Sequence, residues 1–273
     1  MPELTVGGVR LFYEERGDPE ASQTIAFLNG VMASTTSWDL LSPVFVQMGF
    51  RVVLHDFKGQ MKSDKPAGPY SFLQHADETR QLLAALGVDR PHLVGTSYGG
   101  EVAMKYASAF PDQVRSLTVI DSVSELDEVV RGFVVGWKVL CDQGDGEVFF
   151  QGMAPSIYGP DFMAQNKAML DQRAAAFKSA PPDYFTGQKT LYDTFVNDVE
   201  MTEELARITC PTLVLCGEDD ILKPPRFSRL IAQRIPGAEF LLVPRCGHVA
   251  IFERPAELSS AILGFILKQS VVE

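Results

Sequence analysis

The sequence predicts an α/β protein: a doubly wound, mostly parallel sheet with an inserted helical cap. Two observations lead there. Short apolar runs of strand character alternate with amphipathic helical stretches up to residue 121, and the alternation resumes after Cys210-Pro211. Between these blocks it breaks into helical stretches rich in aromatic residues. The expected division is a core of residues 1–121 and 205–273, with a cap of 122–204.

Val9–Tyr13 follows Gly7-Gly8, a turn signal that makes the opening a hairpin of two antiparallel strands. Thr24–Leu28 and Arg51–His55 are apolar runs ending in loops. Between them Leu41, Val44, Phe45 and Met48 recur at helical spacing over Trp38–Met48. Ser71–Leu86 carries Phe72, Ala76, Thr79, Leu82, Leu83 and Leu86 on one face, and Gly87 closes it. His92–Val94 reads as a strand, Gly100–Phe110 as a helix and Ser116–Ile120 as a strand. Strands alternating with helices imply a mostly parallel sheet covered on both faces.

In the cap, Val129–Leu140, Ala164–Ser179 and Tyr184–Val196 are helical, punctuated by Pro155, Pro160, Pro181 and Pro182. The core then resumes with a strand at Thr212–Cys216, a helix at Pro225–Arg234, a strand at Glu239–Val243 and a helix at Pro255–Lys268.

Composition narrows the function. A formal net charge of −11, spread along the chain, argues against nucleic acid or an anionic membrane as partner. No apolar run approaches the roughly 20 residues that a membrane helix needs. Residues 1–10 lack a signal-peptide pattern, so a cytoplasmic location is expected. The four cysteines (Cys141, Cys210, Cys216 and Cys246) are then expected as reduced thiols, their spacing resembling no zinc site.

Gly95-Thr96-Ser97-Tyr98-Gly99 matches G-x-S-x-G, and it lies between an expected strand and an expected helix. A serine on so sharp a turn projects above the carboxyl edge of the sheet at the positive end of a helix. Such a hydroxyl needs a base and a carboxylate to orient that base. Among four histidines, His92 lies inside a strand, His75 on a helix with polar neighbours where it reads as solvated, and His55 at a strand end. His248 follows the last strand, where the chain order serine, aspartate, histidine puts the base. For the acid, Gly217-Glu218-Asp219-Asp220 follows the strand ending at Cys216. Asp220 is favoured over Asp219 and over Asp121, which ends another strand.

These segments, with Gly247-His248 and Phe252-Glu253-Arg254-Pro255, resemble the α/β-hydrolase family over nearly the whole chain. The resemblance implies an oxyanion hole built from the backbone N–H of Tyr98 and of Val31, in Leu28-Asn29-Gly30-Val31. Asn29 stands where the family commonly has histidine. Asp56, Gly59 and Ser63 match a further family loop in which Met61 replaces a glycine, and that loop reads as a support for the oxyanion loop.

The implied chemistry is two-step acyl transfer on Ser97, with His248 as base, Asp220 as its orienting acid, and no cofactor or metal. Phe133, Trp137, Phe149, Phe150, Tyr158, Phe162, Tyr184, Phe185, Tyr192 and Phe195 crowd the cap, and a few of them are expected to line an apolar pocket. The expected partner is a small to medium, largely apolar carboxylic ester or lactone, with self-association left open. A thioesterase or acyltransferase, a carbon–carbon bond hydrolase, and a small-molecule receptor on the same fold stay as alternatives.

Overall fold

The computed structural model describes residues 2–270, and its eight strands form one sheet. The chain opens with β1 (Glu3–Val6) and β2 (Val9–Arg16), then β3 (Thr24–Leu28), α1 (Ser42–Gln47) and β4 (Arg51–His55). It continues through α2 (Phe72–Ala85), β5 (His92–Thr96), α3 (Tyr98–Ala109) and β6 (Ser116–Ile120). Five helices follow: α4 (Glu128–Asp142), α5 (Gly146–Ile157), α6 (Pro160–Gln165), α7 (Lys167–Phe177) and α8 (Pro182–Asp198). β7 (Thr212–Gly217), α9 (Pro225–Arg234), β8 (Glu239–Val243), α10 (Ala250–Glu253) and α11 (Pro255–Ser270) complete it.

The strand order is β1-β2-β4-β3-β5-β6-β7-β8. β2 pairs antiparallel with β1 and with β4, and every other pairing is parallel. The opening hairpin turns at Gly7 and Gly8, whose φ of 56° and 83° match the twist of the flanking strands. Every residue of β3 to β7 is buried, as a sheet covered on both faces requires.

Alternation along each strand sorts side chains into two cores. Ile25, Phe27, Leu54 and Leu215 face α1 and α11 with Trp38, Phe45, Leu258 and Ile262. Ala26, Leu28, Val53 and Val214 face α2, α3 and α9 with Phe72, Leu82, Val102 and Ile231. The helices between β6 and β7 extend this second core with Val130, Trp137, Phe149 and Leu191.

Three expectations are revised. Trp38–Met48 is not one helix: a 3-10 turn at Thr35–Trp38 is followed by α1, which starts where Pro43 supplies a preset φ in its first turn. Ala164–Ser179 breaks at Asn166 into α6 and α7. Pro155 lies inside α5 instead of between helices. It removes one backbone donor from that helix, the one that would have met the Gln151 carbonyl.

Candidate active site

Ser97 joins β5 to α3 with φ 52° and ψ −122°, a conformation costly for any residue with a Cβ. The turn closes because its neighbours have no side chain. A Cβ on Gly95 would lie 2.3 Å from the Gly99 carbonyl oxygen, and one on Gly99 would lie 2.1 Å from the carbonyl oxygen of Leu28. Strand, turn and helix are thereby pressed onto β3, bringing Gly30 against Thr96 and Ser97.

Three residues far apart in sequence meet here. His248 Nε2 lies 2.9 Å from Ser97 Oγ, and His248 Nδ1 lies 2.8 Å from Asp220 Oδ2. A carboxylate only accepts, so Nδ1 carries the hydrogen and Nε2 is left to accept from the serine. The other Asp220 oxygen accepts from the backbone N–H groups of Leu222 and Lys223, which fixes the carboxylate after β7. All three partners are placed by loops at the carboxyl ends of strands, the usual location of sites in open α/β sheets.

His248 is also held by the segment between β6 and β7. Its backbone N–H donates to the carbonyl of Ile157, the last residue of α5, at 2.8 Å. Glu253 makes a second tie, one carboxylate oxygen accepting from Gly247 N–H at 2.9 Å and the other from Gly159 N–H at 3.0 Å.

The other sequence candidates are placed elsewhere. Asp121 is fully buried, and its oxygens accept from Gly217 N–H at 2.8 Å and Ala250 N–H at 3.4 Å. Burial first, and then the nearby charge of Asp220, hold its carboxyl well above the usual range. Asp219 is only half-buried. His55 faces Thr79 Oγ1 at 3.1 Å, and His92 bonds Ser116 and Gln23, so neither serves Ser97. His75 is buried instead of solvated. Its ring packs against Phe57, Tyr70 and Tyr98, because the helix face that looks polar in sequence turns inward onto these aromatics.

Val31 and Tyr98 stand beside Ser97 in the lining of one small pocket. Asn29 has a structural task that its sequence position does not announce. Its amide donates to His55 O and Asp56 Oδ1 and accepts from Trp38 Nε1 at 2.8 Å. Gln60 Nε2 donates to Gly30 O at 2.8 Å, so the Asp56–Ser63 loop holds the Gly30-Val31 backbone in place.

A main pocket of about 160 Å³ opens from Ser97 and His248. Of the aromatics expected there, Trp137, Phe149, Phe150 and Tyr158, all between β6 and β7, line it, joined by Phe177. A side pocket of about 20 Å³ shares Val31, Ser97 and Trp137 with it. One feature of the side pocket has no signal in the sequence. Lys223 Nζ lies 2.9 Å from each carboxylate oxygen of Glu101 and 3.3 Å from Ser97 Oγ, with the Lys223 and Glu101 side chains both buried. Burial raises the Glu101 carboxyl, an effect partly offset by the Lys223 charge.

Asp121, Cys216 and Asp220 bring potential metal-ligand atoms within 4.8 Å of one another. Both carboxylates are already committed to backbone donors or to His248, and burial pushes the Cys216 thiol far up. This donor set serves the loops around His248.

A serine at a strained strand–helix turn, backed by an imidazole and a buried carboxylate above a parallel sheet, defines an α/β-type hydrolase site. The chain belongs to the α/β-hydrolase family, whose model, described as alpha/beta hydrolase fold, matches residues 23–255. The RutD protein of Azorhizobium caulinodans, named for a proposed carbamate hydrolase activity, is 30% identical over 97% of this chain and 98% of its own. Est816, a solved N-acyl homoserine lactone degrading enzyme, is 29% identical with a TM-score of 0.80, covering 97% of this chain and 100% of its own. The enol-lactonase of Burkholderia xenovorans LB400 shares the fold at 21% identity and a TM-score of 0.88, over 97% of this chain and 100% of its own. The protein is thus a hydrolase of this family.

Proposed function

We propose that this hydrolase cleaves carboxylic esters or lactones through an acyl-enzyme on Ser97. The observation that carries the reading is the continuous relay from Asp220 through His248 to Ser97, at 2.8 and 2.9 Å. As Ser97 Oγ bonds to the carbonyl carbon, its proton passes to His248 Nε2. The carbonyl oxygen becomes an oxyanion facing the backbone N–H groups of Val31 and Tyr98. When the carbon–oxygen bond breaks, the leaving alkoxide takes the proton from His248. Water then adds to the acyl-enzyme by the same route, releasing the acid and free Ser97. In a lactone the two products remain one molecule.

The apolar lining of the main pocket supports a substrate with an apolar body. The RutD relatives favour a variant of this reading, in which a carbamate carbonyl takes the place of the ester carbonyl at Ser97.

The test is hydrolysis of phenyl acetate, a small unsubstituted lactone and a phenyl carbamate by wild type and by Ser97→Ala. Turnover by wild type that falls at least about 10³-fold in the variant is expected. Equal turnover by the two proteins, or none by either, overturns the proposal.

A further inference from the structure

Two pockets meet at Ser97, and they differ in size, polarity and access to the base. The main pocket includes His248 in its lining, whereas the side pocket does not. The leaving oxygen must receive its proton from His248 Nε2, so the alcohol portion has to depart through the main pocket. The acyl portion is then left to the side pocket, which both Val31 and Tyr98 border. That pocket holds about 20 Å³, the space of roughly one water-sized group.

Its chemistry is set by Lys223. The ammonium has three N–H donors. It lies within reach of both oxygens of Glu101 at 2.9 Å, while its 3.3 Å approach to Ser97 Oγ is long for a hydrogen bond. Phe195 covers it, with the ring centroid 4.5 Å from Nζ. Val130, Val134, Trp137 and Leu222 give it apolar walls, and the rings of Tyr98 and Tyr192 complete the lining. An ammonium kept in so dry a place is costly unless it is paired, and Glu101 supplies the pairing. The fold thus holds a charged donor next to the nucleophile, in the lining of the side pocket.

Resting on the esterase reading above, we propose that the Lys223 niche is an acyl-side subsite, which selects short acyl groups bearing a hydrogen-bond acceptor one or two atoms beyond the carbonyl. Glycoloyl and related small polar acyl groups fit it. Long alkyl acyl chains do not. The bulky, apolar part of the substrate is its alcohol.

Steady-state kinetics on the full chain test this in two ways. With phenol as the constant leaving group, kcat/KM falls about tenfold or more from acetate to hexanoate, because the added methylenes exceed the niche. With acetyl as the constant acyl group, replacing phenol by 2-naphthol changes it far less. The polar preference is read from phenyl glycolate against phenyl propanoate, two esters of similar size. In Lys223→Met their kcat/KM ratio drops about tenfold, the loss of one charged hydrogen bond. Lys223→Met/Glu101→Gln gives the same drop without leaving a carboxylate unpaired. Comparing ratios cancels any general loss of activity in either variant.

Hexanoate turned over as well as acetate overturns the subsite, as does an unchanged glycolate-to-propanoate ratio in a folded variant. If neither variant folds, the chain-length series on wild type decides alone. Absence of Ser97-dependent turnover on every ester overturns the esterase reading itself, and the subsite with it.

Discussion

Replacing Asp220 by Asn tests the relay at its least exposed member. Asparagine keeps the shape of aspartate and an oxygen for the N–H groups of Leu222 and Lys223, so the loop after β7 is expected to fold unchanged. The charge is lost, and an NH2 group is free to face His248 Nδ1. That arrangement makes Nδ1 an acceptor and places the imidazole hydrogen on Nε2, where the serine proton must go. The magnitude follows from the 2.8 Å contact between Asp220 and His248, both nearly inaccessible to solvent. At an effective dielectric constant of about 20, an imidazolium and a carboxylate at that separation attract by about 6 kcal/mol. The imidazolium exists only while the proton is held, so this attraction lowers the barrier without binding substrate. Its loss corresponds to about 10⁴ in kcat with KM little changed. The control is Asp121→Asn, because Asp121 bonds backbone N–H groups and burial holds its carboxyl well above the usual range. It is expected to retain activity within about tenfold of wild type, because Asp121, although close to Asp220, bonds backbone N–H groups and neither His248 nor Ser97. Steady-state kinetics on one ester, with circular dichroism to verify folding, compares the two variants. The reasoning is refuted if Asp220→Asn stays within about tenfold of wild type, or if Asp121→Asn loses as much.

Three further outcomes are expected. Ser97→Gly should be more stable than Ser97→Ala by about 1 kcal/mol in urea unfolding, since only glycine adopts φ 52°, ψ −122° without strain. Burial lowers the His92 imidazole from its ordinary 6.5 to about 4. Its contribution to stability is therefore complete above pH 6.5 and lost as the pH falls from there through about 4. The stability advantage of wild type over His92→Asn should shrink by about 3 kcal/mol across that range, measured by urea unfolding at several pH values. All four cysteines are buried and unpaired, and burial pushes the thiols of Cys141 and Cys210 up to about 12 and about 11. A thiol reagent such as Ellman's should label none of them in the native protein within minutes and all four after unfolding.

Local chain properties make much of this protein legible in its sequence. Strand, Gly-x-Ser-x-Gly and helix follow one another within about twenty residues, so the strained turn at Ser97 is visible as a pattern. Buried strands announce themselves as apolar runs, and the hairpin as Gly7-Gly8. His248 is singled out by its place after the last strand. Where several residues offer the same local signal, only the assembled structure separates them. Asp121, Asp219 and Asp220 all follow strands, yet Asp220 alone among them meets His248, 28 residues further along the chain. Trp38–Met48 has helical spacing but yields to Pro43 and to the buried bond from Trp38 Nε1 to Asn29. His75 looks solvated because its neighbours in sequence are polar, while its neighbours in space are aromatic rings. The Lys223–Glu101 pair has no signature at all. Its members stand 122 residues apart, and each alone reads as an ordinary surface charge. Hydrogen bonds, burial and ion pairing depend on distance through space, and sequence spacing reports that distance only within a helix turn, a strand or a tight loop.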